Sequence, residues 1–157
     1  MVRYADSDGQ ETDRDRPHAW RYRDFVIRAF NDDQPFNTFV RWQIAGDAIE
    51  PTNATAVAAT GFLTAGTHTV LADTFLEEER LRNPYNELDD IVSTLGKSLL
   101  GLTVGCARCH DHKFDAISAR EHYQLVHVFH NGDRHRGKLP DGKAGLFFRE
   151  SNTTPKT

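Results

Sequence analysis

The amino-acid sequence predicts an all-α fold: a compact domain of about four to five helices packed around a Cys-x-x-Cys-His motif, with irregular termini. Three observations predict it. Apolar residues recur at the helical period in several windows. Capping and breaking residues stand between those windows. No alternation of apolar and polar residues runs long enough for a useful strand. A chain of 157 residues fits one domain. The expected division is a helical domain over 1–131 and a polar loop with a flexible tail over 132–157, where glycine, proline and polar residues dominate.

From His18 to Asn31, Tyr22, Phe25, Val26, Ala29 and Phe30 form one apolar face, and Asn31-Asp32-Asp33 ends that helix. Pro35 suits the first turn of a second helix, whose stripe is Phe36, Phe39, Val40 and Ile44; Gly46 and Pro51 close it. An alanine-rich third helix is expected over Asn53 to Leu63, and a threonine-rich loop over 64–76. The strongest helix carries Leu88, Ile91, Val92, Leu95 and Leu99, with an earlier start near Glu77 and a break around Pro84. Ser118-Ala119-Arg120-Glu121 is a capping box that opens a last helix through Asn131, with His122, Leu125, Val126 and Phe129 facing inward.

Composition excludes some function classes. The net charge of −4 does not suggest a nucleic-acid footprint, and basic pieces such as Arg134 to Lys138 are offset by acidic stretches. No window is apolar enough to span a bilayer, since the longest candidate, Leu99 to Val104, contains Gly101 and Thr103. The opening Met1-Val2-Arg3-Tyr4-Ala5-Asp6 lacks the apolar segment of a secretory signal. Asp6-Ser7-Asp8-Gly9-Gln10-Glu11 resembles the start of a calcium loop, but the full twelve-residue pattern fails and a polar turn is expected. Asp89-Asp90 and Glu77-Glu78-Glu79 are expected to be solvated helix faces or caps.

The two cysteines stand three positions apart, and a histidine follows them: Cys106-Ala107-Arg108-Cys109-His110. This spacing suits covalent haem c. Cys106 and Cys109 would bond to one porphyrin edge, and His110 would be the proximal iron ligand. Arg108, in the spacer, would reach a propionate. Zinc is an alternative, held by Cys106, Cys109, His112 and a further histidine such as His127 or His130, although no second Cys-x-x-Cys exists. A disulfide or redox pair is a third reading, weakened by the absence of the strands that a thioredoxin-like motif follows.

The other face of the iron is not met by methionine, because the only one is Met1. His112 is too close to His110, since two residues span about 7 Å, too little to pass round a porphyrin edge. His68, in a glycine-flanked loop, is the leading distal ligand, and His127 and His130 come next. An iron without a sixth ligand would suit chemistry on peroxide or a small oxidant, which needs an acid/base group nearby. Asp111 and Asp115 are expected instead to cap the turn after the motif.

The stretch Gly101-Leu-Thr-Val-Gly-Cys-Ala-Arg-Cys-His-Asp-His-Lys-Phe-Asp115 resembles the signature of a planctomycete-type cytochrome domain family, a family of unknown function found in large exported proteins. Val2-Arg-Tyr-Ala-Asp-Ser-Asp-Gly9, Trp20-Arg-Tyr-Arg-Asp-Phe-Val-Ile-Arg-Ala-Phe-Asn31, Gln43-Ile-Ala-Gly-Asp47, Glu87-Leu-Asp-Asp-Ile-Val-Ser-Thr94 and Tyr123-Gln-Leu125 extend the resemblance in order over residues 2 to 131. Two positions depart from the pattern: Ala116 where proline is common, and His122 where an aromatic is usual. The resemblance implies a c-type cytochrome module with haem c, exported as one part of a longer chain. Its partners would be a redox protein or further domains of that chain. Electron transfer is the expected function. The alternatives are a haem oxidoreductase with an open iron, or a zinc- or disulfide-stabilised structural domain.

Overall fold

The computed structural model describes residues 2–9, 13–69, 71 and 75–150. Met1, Gln10 and Glu11 of the calcium-like stretch, part of the threonine-rich loop, and the expected tail at 151–157 lie outside the described residues. The described residues form two units, one made of 2–66 with 132–150, the other of 67–131.

The first unit starts from α1 (Trp20–Asn31), which buries Tyr22, Phe25 and Ala29 at the predicted period. Phe30 is exposed instead, because five residues beyond Phe25 is about 140° round a helix. In α2 (Phe36–Ile49), Phe39 and Gln43 point inward and Phe36 does not; Pro35 stands at the N-cap. Phe25 stacks on Phe39 with centroids 5.5 Å apart and tilts against Trp42 at 6.2 Å. The Tyr22 hydroxyl donates to Gln43 Oε1 at 2.7 Å, and burial pushes this phenol well above its usual range.

The alanine-rich stretch splits into α3 (Ala54–Ala59) and α4 (Gly61–Thr64). Asn53 Oδ1 caps α3 by accepting the N–H groups of Thr55 and Ala56 at 3.0 and 3.3 Å. Thr60 separates the two helices, its hydroxyl within 2.8 Å of the Val57 carbonyl.

The all-α expectation is overturned by a two-stranded antiparallel hairpin in the segment read as polar loop. Strand β1 (Gly132–Lys138) pairs with β2 (Ala144–Glu150), Gly132 opposite Glu150 and Lys138 opposite Ala144. The turn holds Pro140-Asp141-Gly142, with Gly142 at φ 78° and its N–H donating to the Leu139 carbonyl at 2.9 Å. Leu146, Phe147 and Phe148 of β2 are buried, and Phe147 and Leu139 join Val57 and Ala58 in one cluster. Thr60 Oγ1 accepts the Phe148 N–H at 3.0 Å. The fold is therefore helical with a β-hairpin.

The polar-turn reading of the calcium-like stretch also gains a partner. Buried Asp8 pairs with Arg16 Nε at 2.7 Å and with Arg136 of β1 at 3.3 Å, and Arg16 donates to the Gly66 carbonyl at 2.6 Å. The carboxylate is paired with two guanidinium groups.

The second unit is built on α5 (Glu77–Leu95), which runs through Pro84 without the expected break; the ring forfeits one helical hydrogen bond, and the three acidic residues of the first turn favour the helix N-terminus. A π-turn (Gly96–Leu100), a 3-10 turn (Val104–Arg108) and α6 (Ala119–Phe129) follow. Leu88, Ile91, Val92, Val104, Ala107, Val126 and Phe129 are its buried apolar residues. Among the described residues no helix is long and apolar enough to cross a membrane.

Candidate functional site

The motif begins on the 3-10 turn that follows the π-turn, an irregularity common at functional sites, and Cys109 and His110 lie just past its end. Gly101, at φ 68°, reverses the chain after α5 in the left-handed conformation that glycine adopts without strain. Gly105 then lies against α5, where a β-carbon would collide with the Ser93 hydroxyl. Val104 and Ala107 are buried, and this sets the turn's inner side. The residues between and after them, Cys106, Cys109 and His110, are exposed, and both cysteines are free thiols.

His110 Nδ1 lies 2.8 Å from the Asp111 carbonyl oxygen. A carbonyl only accepts, so Nδ1 carries the proton and Nε2 presents its lone pair. That is the tautomer an iron-ligating imidazole needs. Asp111 Oδ1 accepts the Ala119 N–H at 2.8 Å, which matches the capping role expected for it.

Arg108 is turned to α5. Its terminal nitrogens donate to Asp89 Oδ2 at 3.2 Å and to Asn86 Oδ1 at 2.7 Å, and its carbonyl accepts from the Tyr123 hydroxyl at 3.0 Å. Arg108, one of the two residues between the cysteines, thus ties the turn to both flanking helices. Asp89 was expected on a solvated face; it stands instead between Arg108 and His122, whose side chain is 1% exposed with Nε2 3.2 Å from Asp89 Oδ1. Asp89 Oδ1 and, on the other side of the ring, His122 Nδ1 are each buried without a hydrogen-bond partner among the described residues. Sequence reasoning missed this clamp. Its only trace was the i, i+3 placement of Asn86 and Asp89 on one side of a helix next to the motif.

His112 is fully engaged. Nδ1 accepts the N–H groups of Asp115 at 2.8 Å and Phe114 at 3.3 Å, so the proton sits on Nε2, which faces Thr103 Oγ1 at 2.9 Å. Asp115 Oδ2 also lies 3.3 Å from Nδ1, but the N–H groups aimed at that nitrogen decide its role as an acceptor. His127 and His130 are exposed and stacked at 5.9 Å, and Tyr85 stacks on His130 at 6.0 Å.

His68 belongs to the same unit. Its Nδ1 is 2.9 and 3.0 Å from the two carboxylate oxygens of Glu87, a carboxylate that also accepts from Asn83 Nδ2 at 3.2 Å. The other ring nitrogen of His68 has no partner among the described residues. Asn83 and Glu87 hold the His68 segment while Asn86 and Asp89 hold Arg108, so two consecutive turns of α5 grip both.

The donor set fits haem c. Two exposed, unpaired thiols three residues apart precede an imidazole with an outward lone pair, and Leu100 and Phe114, 63% and 84% exposed on either side of the motif, offer apolar surface to a macrocycle. Zinc fits less well. His112, a ligand of that reading, has both nitrogens occupied.

A helical unit carrying a Cys-x-x-Cys-His turn is thus the class that the structure defines. The sequence profile of the PSCyt2 family, described as a protein of unknown function (DUF1549), matches residues 1–134, and the chain belongs to that family. No curated protein and no solved structure matches it.

Proposed function

We propose that the chain is a c-type haem-binding module that carries electrons within a larger exported protein. The observation that carries this reading is the exposed thiol pair on one short turn with His110 Nε2 left free by the Asp111 carbonyl. Cys106 and Cys109 would anchor the group and His110 would ligate it. When bound, the iron supplies a reversible one-electron centre. The chain's own contribution is orientation: Asp89 and Asn86 grip Arg108 from α5, and Tyr123 holds its carbonyl from α6. With Arg108 so engaged, a propionate contact is a second use of that side chain.

His68 is the proposed second axial ligand, supported by the Glu87 carboxylate that orients its ring. The same pair favours the alternative reading of an oxidoreductase with an open iron, since an imidazole backed by a carboxylate is an acid/base group. Haem attachment takes place outside the cytoplasm, so the reading requires an extracytoplasmic location. A redox protein or further domains of the parent chain would be the partner.

The test is expression with the periplasmic haem-attachment machinery, followed by denaturation. Haem colour and mass that stay with the polypeptide support the reading; colourless protein with stoichiometric zinc overturns it. In the haem-loaded protein, His68→Ala converts a six-coordinate spectrum to a five-coordinate one if His68 ligates, and leaves the coordination unchanged if it acts as an acid/base group.

A further inference from the structure

The first unit contains a cleft of about 800 Å³, a volume typical of small-molecule sites. It runs between one flank of α1, the first turns of α3 and the turn of the hairpin. Ala54 and Ala58 line it with little bulk, while Trp20 and Ile27 give it an apolar wall. The Arg21 guanidinium lies 4.8 Å from the centroid of the Trp20 ring and holds the indole in place.

Charge in the cleft is not balanced. Asp24 is paired with Arg23 at 3.1 Å, outside the lining. Asp141 accepts the Lys143 N–H through Oδ1 at 3.0 Å and meets Arg21 through Oδ2 at 3.4 Å. Both carboxylates are therefore answered. Arg28 spends only Nε, on the Asp24 carbonyl at 3.2 Å, so its two terminal nitrogens have no partner among the described residues, and neither has the Lys143 ammonium. Arg21 Nε is buried without a hydrogen bond.

From this imbalance we infer that the cleft binds a small organic anion. Its carboxylate or phosphate is held by the fork of Arg28 and by Lys143, and its flat apolar body lies against Trp20 over the two alanines. This site is independent of the haem reading and of the motif unit.

Isothermal titration of the full chain with 1-naphthoate, 1-naphthyl phosphate and neutral 1-naphthol tests it. Saturable one-to-one binding of at least one of the two anions is expected, at least tenfold tighter than 1-naphthol and weakened by salt. The responding anion identifies the preferred head group. In the double variants R28Q/K143Q and R28E/K143E, which alter exposed side chains only, affinity falls at least tenfold with an unchanged circular dichroism spectrum. W20A weakens the same ligand. Neither anion binding saturably, binding no tighter than 1-naphthol, or an affinity unchanged in the charge variants, would overturn the proposal.

Discussion

The two units put their large apolar side chains to different uses. In the unit of residues 2–66 and 132–150, Tyr22, Phe25, Phe39, Phe62, Phe147 and Phe148 are buried, and aromatic rings meet in pairs. In residues 67–131 the buried apolar set is small and mostly aliphatic, while Leu76, Leu81, Tyr85, Leu100, Phe114, Tyr123 and Val128 are all more than half exposed. A core of that size in fewer than about 70 residues supplies little stability by itself and needs a staple such as a covalent link or a bound group. The contrast teaches that the motif unit is constructed as a frame. Its polar clamp, Asn86, Asp89 and Arg108, positions a turn, whereas the other unit is held by packing.

The comparison can be broken most directly at the motif. Replacing both cysteines, Cys106→Ser with Cys109→Ser, is expected to abolish covalent haem retention completely and to lower the melting temperature of the haem-expressed protein toward that of the haem-free chain; retained haem mass after denaturation would refute it. The next largest effect belongs to the aromatic core. Phe25→Ala removes a ring 1% exposed and should cost about 3–5 kcal/mol in chemical denaturation, with haem still attached to the motif. If the first unit is instead loosely packed, the loss will fall near that of an exposed residue.

A smaller effect tests the hairpin's attachment within its own unit. Thr60→Val leaves the buried Phe148 N–H without its acceptor and should cost about 1–3 kcal/mol, read by the same denaturation. The smallest concerns α6. Ser118 Oγ accepts the Glu121 N–H at 3.2 Å, and Glu121 accepts from the Ser118 N–H at 2.7 Å. Ser118→Ala should cost about 1 kcal/mol. The Ser118 backbone N–H, and then its hydroxyl, hold the Glu121 carboxyl below the usual range. A lowered folded value means that the contribution is present above the ordinary glutamate range and disappears as acid takes the pH down through the lowered value. Protection of the amides across 119–123, taken relative to their intrinsic exchange rate at each pH, should fall in that acid window, and less so in the alanine variant.

Much of the helical framework was legible because the longer helices carry their own period and α6 its own capping box. Tyr22, Phe25 and Ala29 and the Ser118 capping box stand where the sequence puts them. The hairpin was not legible, because β1 is Gly-Asp-Arg-His-Arg-Gly-Lys, whose Arg134 and Arg136 serve the Gly66 carbonyl and Asp8 instead of an apolar face. Its signal lay in the Pro-Asp-Gly turn and in Leu146-Phe147-Phe148, apolar on consecutive positions rather than alternating ones.

By itself the sequence determined the motif, much of the helical period and the Ser118 capping box, since these depend on residues within a turn or two of each other. Only the tertiary structure decided which nitrogen of His110 is free, that Arg108 answers α5, that His112 is occupied and that Glu87 stands behind His68. Those outcomes depend on hydrogen bonds whose directions are set by how the chain folds around them, and whose partners, for Arg108 and His68, come from residues about twenty positions away. Local periodicity carries no record of such bonds.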